Sequence, residues 1–306
     1  ERELSSLNRH LIRELVIGTA RPMRALEICV IALGALDQKS SDFSVNNLRV
    51  IAARLAARMP TVVAAFHRAR QGLDYLPPRD DLSHAANFLW MLLGKEPSEL
   101  EARVFDVAMT LHAEHEMNAS TFSAIVTAST QSDMYSAIAS AIGTLKGPLH
   151  GGANTAVYEL LMKIGDEASI KPYIDELLDR KERVMGIGHR IYRTTDPRAV
   201  ILEALGEEVA EESEERFYFD LSRKLRDYLG ERLAGRPLYP NVDFFSASVY
   251  NMLGIPSDLY TAIFAMARSV GWTAHLIEQY ANNRLVRPNA VYVGEESKDF
   301  IPISQR

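Results

Sequence analysis

The sequence predicts an all-α protein. Apolar residues recur near a 3.6-residue period in segment after segment, β-branched alternation is nearly absent, and clusters of Pro, Gly and Asp separate the periodic runs. Only Ala290-Val-Tyr-Val293 hints at a short strand. With 306 residues the chain is long enough for a large core and two domains, and its 47% hydrophobic and 24% charged content is that of an ordinary globular protein. A net charge of -6 argues against nucleic acid as a partner, so an anionic ligand requires a local cluster of arginines. The single cysteine, Cys29, lies in an apolar helical run; it excludes an intrachain disulfide framework and a Cys-based zinc site, and reads as a small buried residue. No apolar stretch approaches the roughly 20 residues that span a bilayer, and no signal peptide opens the chain. The expectation is a cytoplasmic protein with no membrane partner, trimmed at its N-terminus because it starts at Glu1.

The elements follow in order. Leu7, Leu11, Leu15 and Val16 set a helix over Leu4–Ile17, and Pro22 opens a second, Met23–Leu36, at a position where Pro is tolerated. Ser44 caps Val45–Met59; Pro60 is expected to break or kink that run before Val62–Arg70 resumes. After a Pro- and Asp-rich loop, Leu82–Leu93 ends at Gly94. The helix opened by Pro97-Ser-Glu runs to His112 and His115. Helices over Met134–Leu145 and Ala153–Ile164 flank a turn, and others cover Tyr173–Arg183, Ala199–Glu208, Phe217–Leu233, Ser246–Leu253 and Leu259–Ala281. The acidic run Glu207–Glu215 reads as a solvated helix face.

Four stretches stand out. Gly147-Pro-Leu-His-Gly-Gly152 holds His150 at a bend among small residues that let a ligand approach, although a histidine in a turn is more often structural. Met185-Gly-Ile-Gly-His189 lacks the third glycine and the preceding strand of a dinucleotide fingerprint. It still offers bare backbone, His189, and Arg190, Arg193 and Arg198 close behind; the plain alternative is a basic loop capping a helix at Asp196-Pro197. Asp243 lies between Val242 and Phe244-Phe245, where burial raises a carboxyl pKa; it is either a base or the cap of a helix beginning near Ser246. Arg268, inside an apolar helix, must find an anion. His112 and His115 are three apart and are expected on one helical face, as a metal pair or as anion ligands, but His-Ala-Glu-His fits neither zinc-hydrolase order.

Taken together, Gly147-Pro-Leu-His-Gly-Gly152, Gly188 through Thr-Thr-Asp-Pro-Arg198, Pro240-Asn-Val-Asp243 and Ala267-Arg-Ser-Val-Gly271 resemble the citrate synthase family, in the dimeric form that includes 2-methylcitrate synthase. The resemblance covers essentially the whole chain, and family chains carry a further N-terminal segment. It implies a large domain of about 1–152 plus 247–306 and a small CoA-binding domain of about 153–246, with a cleft that closes on substrate.

The implied reaction condenses acetyl-CoA with oxaloacetate to citrate and CoA. Asp243 matches the base that takes the methyl proton, His150 the donor to the thioester oxygen, and His189 the donor to the ketone. His115, Arg198, Phe264 and Arg268 match oxaloacetate contacts, and Arg287 an arginine supplied by the other subunit of a homodimer. Gly186 and Gly188, with Met185 and Ile187, lie where the family binds adenine, and Arg193 where it binds CoA phosphate. The coenzyme A thioester is a co-substrate; no metal and no permanent cofactor is implied. Three alternatives stand: a 2-methylcitrate synthase using propionyl-CoA, a non-catalytic binding protein of the same fold, and a metallohydrolase built on His112 and His115.

Overall fold

The computed structural model describes residues 1–306 except 19, 20, 190 and 296, so Arg190 lies outside the described residues. Among those described there are thirteen α-helices, two short 3-10 turns (Ser257–Leu259 and Ile303–Gln305) and no strand. The 290–293 segment is irregular and largely exposed.

The first seven helices are α1 (Ser6–Ile17), α2 (Pro22–Ala35), α3 (Val45–Arg70), α4 (His84–Leu93), α5 (Glu99–Ala113), α6 (Ala119–Ser129) and α7 (Met134–Leu145). Local signals define most of their ends. Ser98 and Glu101 form a reciprocal capping box on α5, and Gly94 closes α4 in the left-handed region at φ 76°. Pro60 does not break α3. Met59 through Phe66 is buried without interruption, and this packing offsets the lost hydrogen bond that makes an internal proline costly. The unbroken α3 corrects a second expectation. It is the one helix among those described that is long and apolar enough to cross a bilayer, but 61% of that stretch is buried inside the protein.

The remaining helices are α8 (Ala153–Ile164), α9 (Glu167–Asp179), α10 (Pro197–Glu212), α11 (Phe217–Arg232), α12 (Val242–Met252) and α13 (Tyr260–Ala281). Helix α9 starts before Pro172, because Asp166 accepts a bond from the Ser169 amide and caps it there. Helix α12 likewise starts four residues ahead of Ser246. Asn241 is its cap, and Asp243 sits inside its first turn.

Helix α13 is the central pillar, packed on α2, α3, α5, α6 and α7 with Trp272 and Tyr260 fully buried. A second group gathers on α12, which packs against α8, α10 and α11. Contacts of α5 with α10 and of α8 with α13 join the two groups. The expected boundary at 246/247 falls inside α12.

Gly271 makes the close approach of α13 to the end of α5. A Cβ there would collide with the Ala113 carbonyl oxygen and crowd the Glu114 side chain at 3.1 Å. That contact brings the His112 carbonyl to Arg268, whose Nε donates to it at 2.7 Å.

Candidate active site

Where the two groups of helices meet, a cleft of about 590 Å³ is lined by His115, His150, His189, Arg198, Asp243, Phe264 and Arg268. All seven were singled out in the sequence, and they come from six separate segments.

Each histidine is held in a defined state. The Nδ1 of His189 accepts from the backbone amides of Ile191 at 3.1 Å and Tyr192 at 3.2 Å, so its proton is on Nε2. The Nε2 of His150 faces the Ser120 amide at 3.3 Å and the Ser120 Oγ at 2.9 Å. That hydroxyl gives its proton to Asn118 Oδ1 at 2.7 Å and receives Trp272 Nε1–H at 3.2 Å. Nε2 is therefore the acceptor, and the His150 proton is on Nδ1. The His115 ring packs edge-on to His189 with centroids 4.9 Å apart, and Tyr192 packs edge-on to His115 and tilted against His189. Burial first, then the positive charge of Arg198, pushes the pKa values of His115 and His189 down. Both rings are neutral hydrogen-bonding groups at physiological pH.

His112 and His115 do not share a face. Helix α5 ends at Ala113, Glu114 turns out in extended conformation, and His115 enters the cleft from beyond the helix. His112 is fully buried, bonded to the Ala108 carbonyl at 2.7 Å, and stacked edge-on against Phe264. Burial pushes its pKa down to about 4. Among the described residues no group of three His, Cys, Asp or Glu side chains is arranged to hold a metal ion.

Asp243 Oδ1 is inaccessible and has no hydrogen-bond partner among the described residues. Burial raises its pKa to about 6, against the opposing pull of Arg198 and Arg268. Arg268 is 3% exposed, lies over the Phe264 ring at 4.8 Å, and has its pKa pushed down to about 10 by burial and then by Arg198. Two guanidinium groups facing one cleft form a site for an anion that bridges them.

A second cavity, about 830 Å³, opens beside the cleft and shares Arg183, Gly188, His189 and Asn241 with it. Met185, Gly186 and Ile187 line it. Gly186 and Gly188 have φ of 77° and 87°, and a Cβ on Gly186 would meet Val157 at 2.6 Å. Their strand-like segment is tied to the start of α12: Gly188 N–H to the Tyr239 carbonyl at 2.7 Å, Asn241 N–H to the Gly186 carbonyl at 2.9 Å. Lys181, Arg183 and Arg236 put cationic groups on this cavity, and sequence reasoning had not selected them. Arg193 is exposed and outside both linings, and Arg287 is exposed in the tail after α13. A further cavity of about 580 Å³ lies behind this segment, between α10 and α11; Ile187 and Arg236 line it as well, but none of the seven cleft residues does.

Sequence reasoning also missed Ser120, Tyr192 and Asn241 as parts of the site, and saw Asp196 only as a helix cap. Each acts through a partner distant in sequence or through backbone groups, which no local pattern announces.

An all-helical scaffold that collects neutral histidine donors, a carboxylate of raised pKa and two buried arginines defines an acid–base enzyme acting on an anionic substrate. The chain belongs to the citrate synthase family: the family model "Citrate synthase, C-terminal domain" matches residues 1–289. A citrate synthase of Haloferax volcanii is 49% identical over 300 residues, covering 96% of this chain and 78% of that one. A 2-methylcitrate synthase of Shewanella oneidensis is 41% identical over 296 residues, covering 96% and 77%. The citrate synthase of Thermoplasma acidophilum, solved as a ternary complex with carboxymethyl coenzyme A and oxaloacetate, superposes with a TM-score of 0.91 at 33% identity, covering 100% of this chain and 81% of that one. Family membership makes this protein an acyl-transferring enzyme of the citrate synthase type.

Proposed function

We propose that this chain condenses acetyl-CoA with oxaloacetate to citrate and CoA in the cleft between the two groups of helices. The observation that carries the reading is the trio of Asp243, His150 and His189. A carboxylate of raised pKa faces the same cleft as two neutral histidines, each with one ring nitrogen occupied by backbone N–H. Asp243 takes a proton from the thioester methyl group. A base alone cannot do this to so weak a carbon acid, and the His150 Nδ1–H stabilises the enolate oxygen as charge develops. The enol carbon attacks the ketone carbon of oxaloacetate, and His189 gives its Nε2 proton to the new alkoxide. Water then cleaves the citryl thioester, releasing CoA as its thiol. Protein groups, the two substrates and one water carry every step of this scheme, and none of them calls on a metal or redox cofactor.

Arg198 and Arg268 bind the oxaloacetate carboxylates, with His115 as a further ligand and Phe264 packing beside them. The 830 Å³ cavity takes the CoA adenine against Met185–Gly188, with Lys181, Arg183 and Arg236 near its phosphates and Arg193 at the rim. The large domain is about 1–152 plus 247–306 and the small one about 153–246. The enzyme works as a homodimer in which Arg287 reaches the partner's site.

The test is product identification by mass spectrometry after incubation with oxaloacetate and either acetyl-CoA or propionyl-CoA. Citrate formed with at least tenfold higher kcat/KM than 2-methylcitrate is the expected result. The reverse preference makes the chain a 2-methylcitrate synthase, and no CoA release with either makes it a binding protein of this fold. One methylene supplies only about 1–3 kcal/mol of discrimination, so both products are expected at unequal rates.

A further inference from the structure

Asp196 is 1% exposed, and its carboxylate accepts four N–H groups. Oδ1 takes the Arg198 backbone amide at 2.9 Å and Arg198 Nε at 3.0 Å; Oδ2 takes Arg198 Nη2 at 2.8 Å and the Val242 amide at 3.2 Å. One carboxylate thus caps α10, grips the fork of Arg198 on both nitrogens and holds the first amide of α12. Val242 is the residue before Asp243. The starts of two helices converge on it, an arrangement that favours a negative charge there.

We propose that Asp196 is a positioning residue that keeps an oxaloacetate-binding arginine and the catalytic base in register. The proposal rests on the reading of Arg198 as a substrate ligand and Asp243 as the base. Its core is stoichiometry. An ionised carboxylate has about four acceptor sites and no donor, and all four are used here. No other side chain of this size meets that demand. Asn keeps one oxygen and turns an NH2 toward a donor, so either Arg198 or Val242 loses its anchor. Arg198 is then free to swing out of the cleft, and the first turn of α12 is free to shift with Asp243.

The electrostatics agree. Asp196 opposes the pull of Arg198 on Asp243 and favours the protonated forms of His115 and His189. The other charged or titratable groups facing Asp243 across the cleft come from each neighbouring element. His115 and Glu116 lie past α5, His150 before α8, Arg183 and His189 on the glycine segment, Arg198 on α10 and Arg268 on α13.

Two variants test the proposal. Asp196→Asn is expected to raise the oxaloacetate KM at least tenfold and lower kcat, with the acyl-CoA KM within twofold of wild type. A structural defect alone reduces amplitude in proportion to the folded fraction and leaves the oxaloacetate KM in place; that outcome overturns the proposal. Val242→Pro removes the amide that reaches Asp196, at the first helical position, where proline is tolerated; Val242→Ala, which keeps the amide and trims the same buried side chain, is its control and is expected to keep kcat within twofold. Val242→Pro leaves the Asp196–Arg198 pair whole, so kcat is expected to fall at least fivefold with the oxaloacetate KM within twofold of wild type. Retention of kcat within twofold in folded Val242→Pro shows that the tether to α12 is dispensable and overturns the coupling. Asp243→Asn, assayed alongside, separates the two levels: if it stays active the underlying assignment fails, whatever the Asp196 variants do.

Discussion

At the scale of single residues, burial and neighbouring charge move the titration of the cleft groups, His115 and His189 downward and Asp243 upward. Asp243 has a pKa raised from 3.8 to about 6, chiefly by burial. As a base it must be ionised, so kcat/KM is expected to rise with pH through about 6 and level off above. A flat profile between pH 5 and 7.5 counts against Asp243 as the base. The same shift has a stability consequence of opposite sense. The folded protein holds this proton to higher pH than the unfolded chain, so folding loses free energy as pH rises from about 4 through 6. A shift of about two units corresponds to a cost of roughly 3 kcal/mol at neutral pH. Asp243→Asn is therefore expected to abolish condensation yet raise the melting temperature at pH 7.5, with the gain disappearing near pH 4. A variant no more stable than wild type at pH 7.5 contradicts the burial argument. Glycine-, proline- or phenylalanine-marked stretches drew attention to His150, His189 and Asp243, but a structural reading of each was locally as good or better, and their roles came from the family resemblance. Asp196 and Ser120 were not legible as site residues, since their partners lie 46 and 30 residues away, at Val242 and His150.

At the scale of elements, helix ends decide which side chains reach the cleft. Helices α7 and α8 were read to the residue because Ala-rich and amphipathic periodicity coincides with an Asp133 cap on α7 and with the bounding glycines Gly152 and Gly165 on α8. Helix α6 was overlooked: its Ser120, Thr121, Ser123, Thr127 and Ser129 are weak helix formers, and burial against α7 and α13 holds it. The start of α12 was placed too late because its Asn241 cap is also the residue that ties down Gly188 through a 3.0 Å bond. Gly271 shows how an element contact serves chemistry. With a side chain there, α13 and the end of α5 must separate, carrying the His112 carbonyl away from Arg268 and shifting His115. Gly271→Ala is expected to destabilise the fold by about 1–3 kcal/mol, as overpacking does, and to raise the oxaloacetate KM several-fold. Wild-type KM in this variant, with or without a drop in melting temperature, shows that the α5–α13 spacing does not set the substrate site.

At the scale of the whole molecule, Arg198 on α10 and Arg268 on α13 belong to different groups of helices, so a small dianion bound by both links them. Arg287 extends the same logic to a second copy. It stands exposed in the irregular tail after α13, where removing a surface charge ordinarily changes stability by less than about 0.5 kcal/mol. In a two-fold dimer, a residue that reaches the partner's site does so twice, by equivalent exchanges. Arg287→Ala is then expected to raise the oxaloacetate KM strongly with an unchanged melting temperature. Mixing subunits distinguishes action in trans from action in cis. In a heterodimer of Arg287→Ala with Asp243→Asn, one site combines an intact Asp243 with the partner's intact Arg287, and the other holds both defects. About half of wild-type activity per dimer returns if the arginine crosses the interface. If Arg287 serves its own chain's site, each site carries one defect and mixing restores nothing, even where the heterodimer is shown to form.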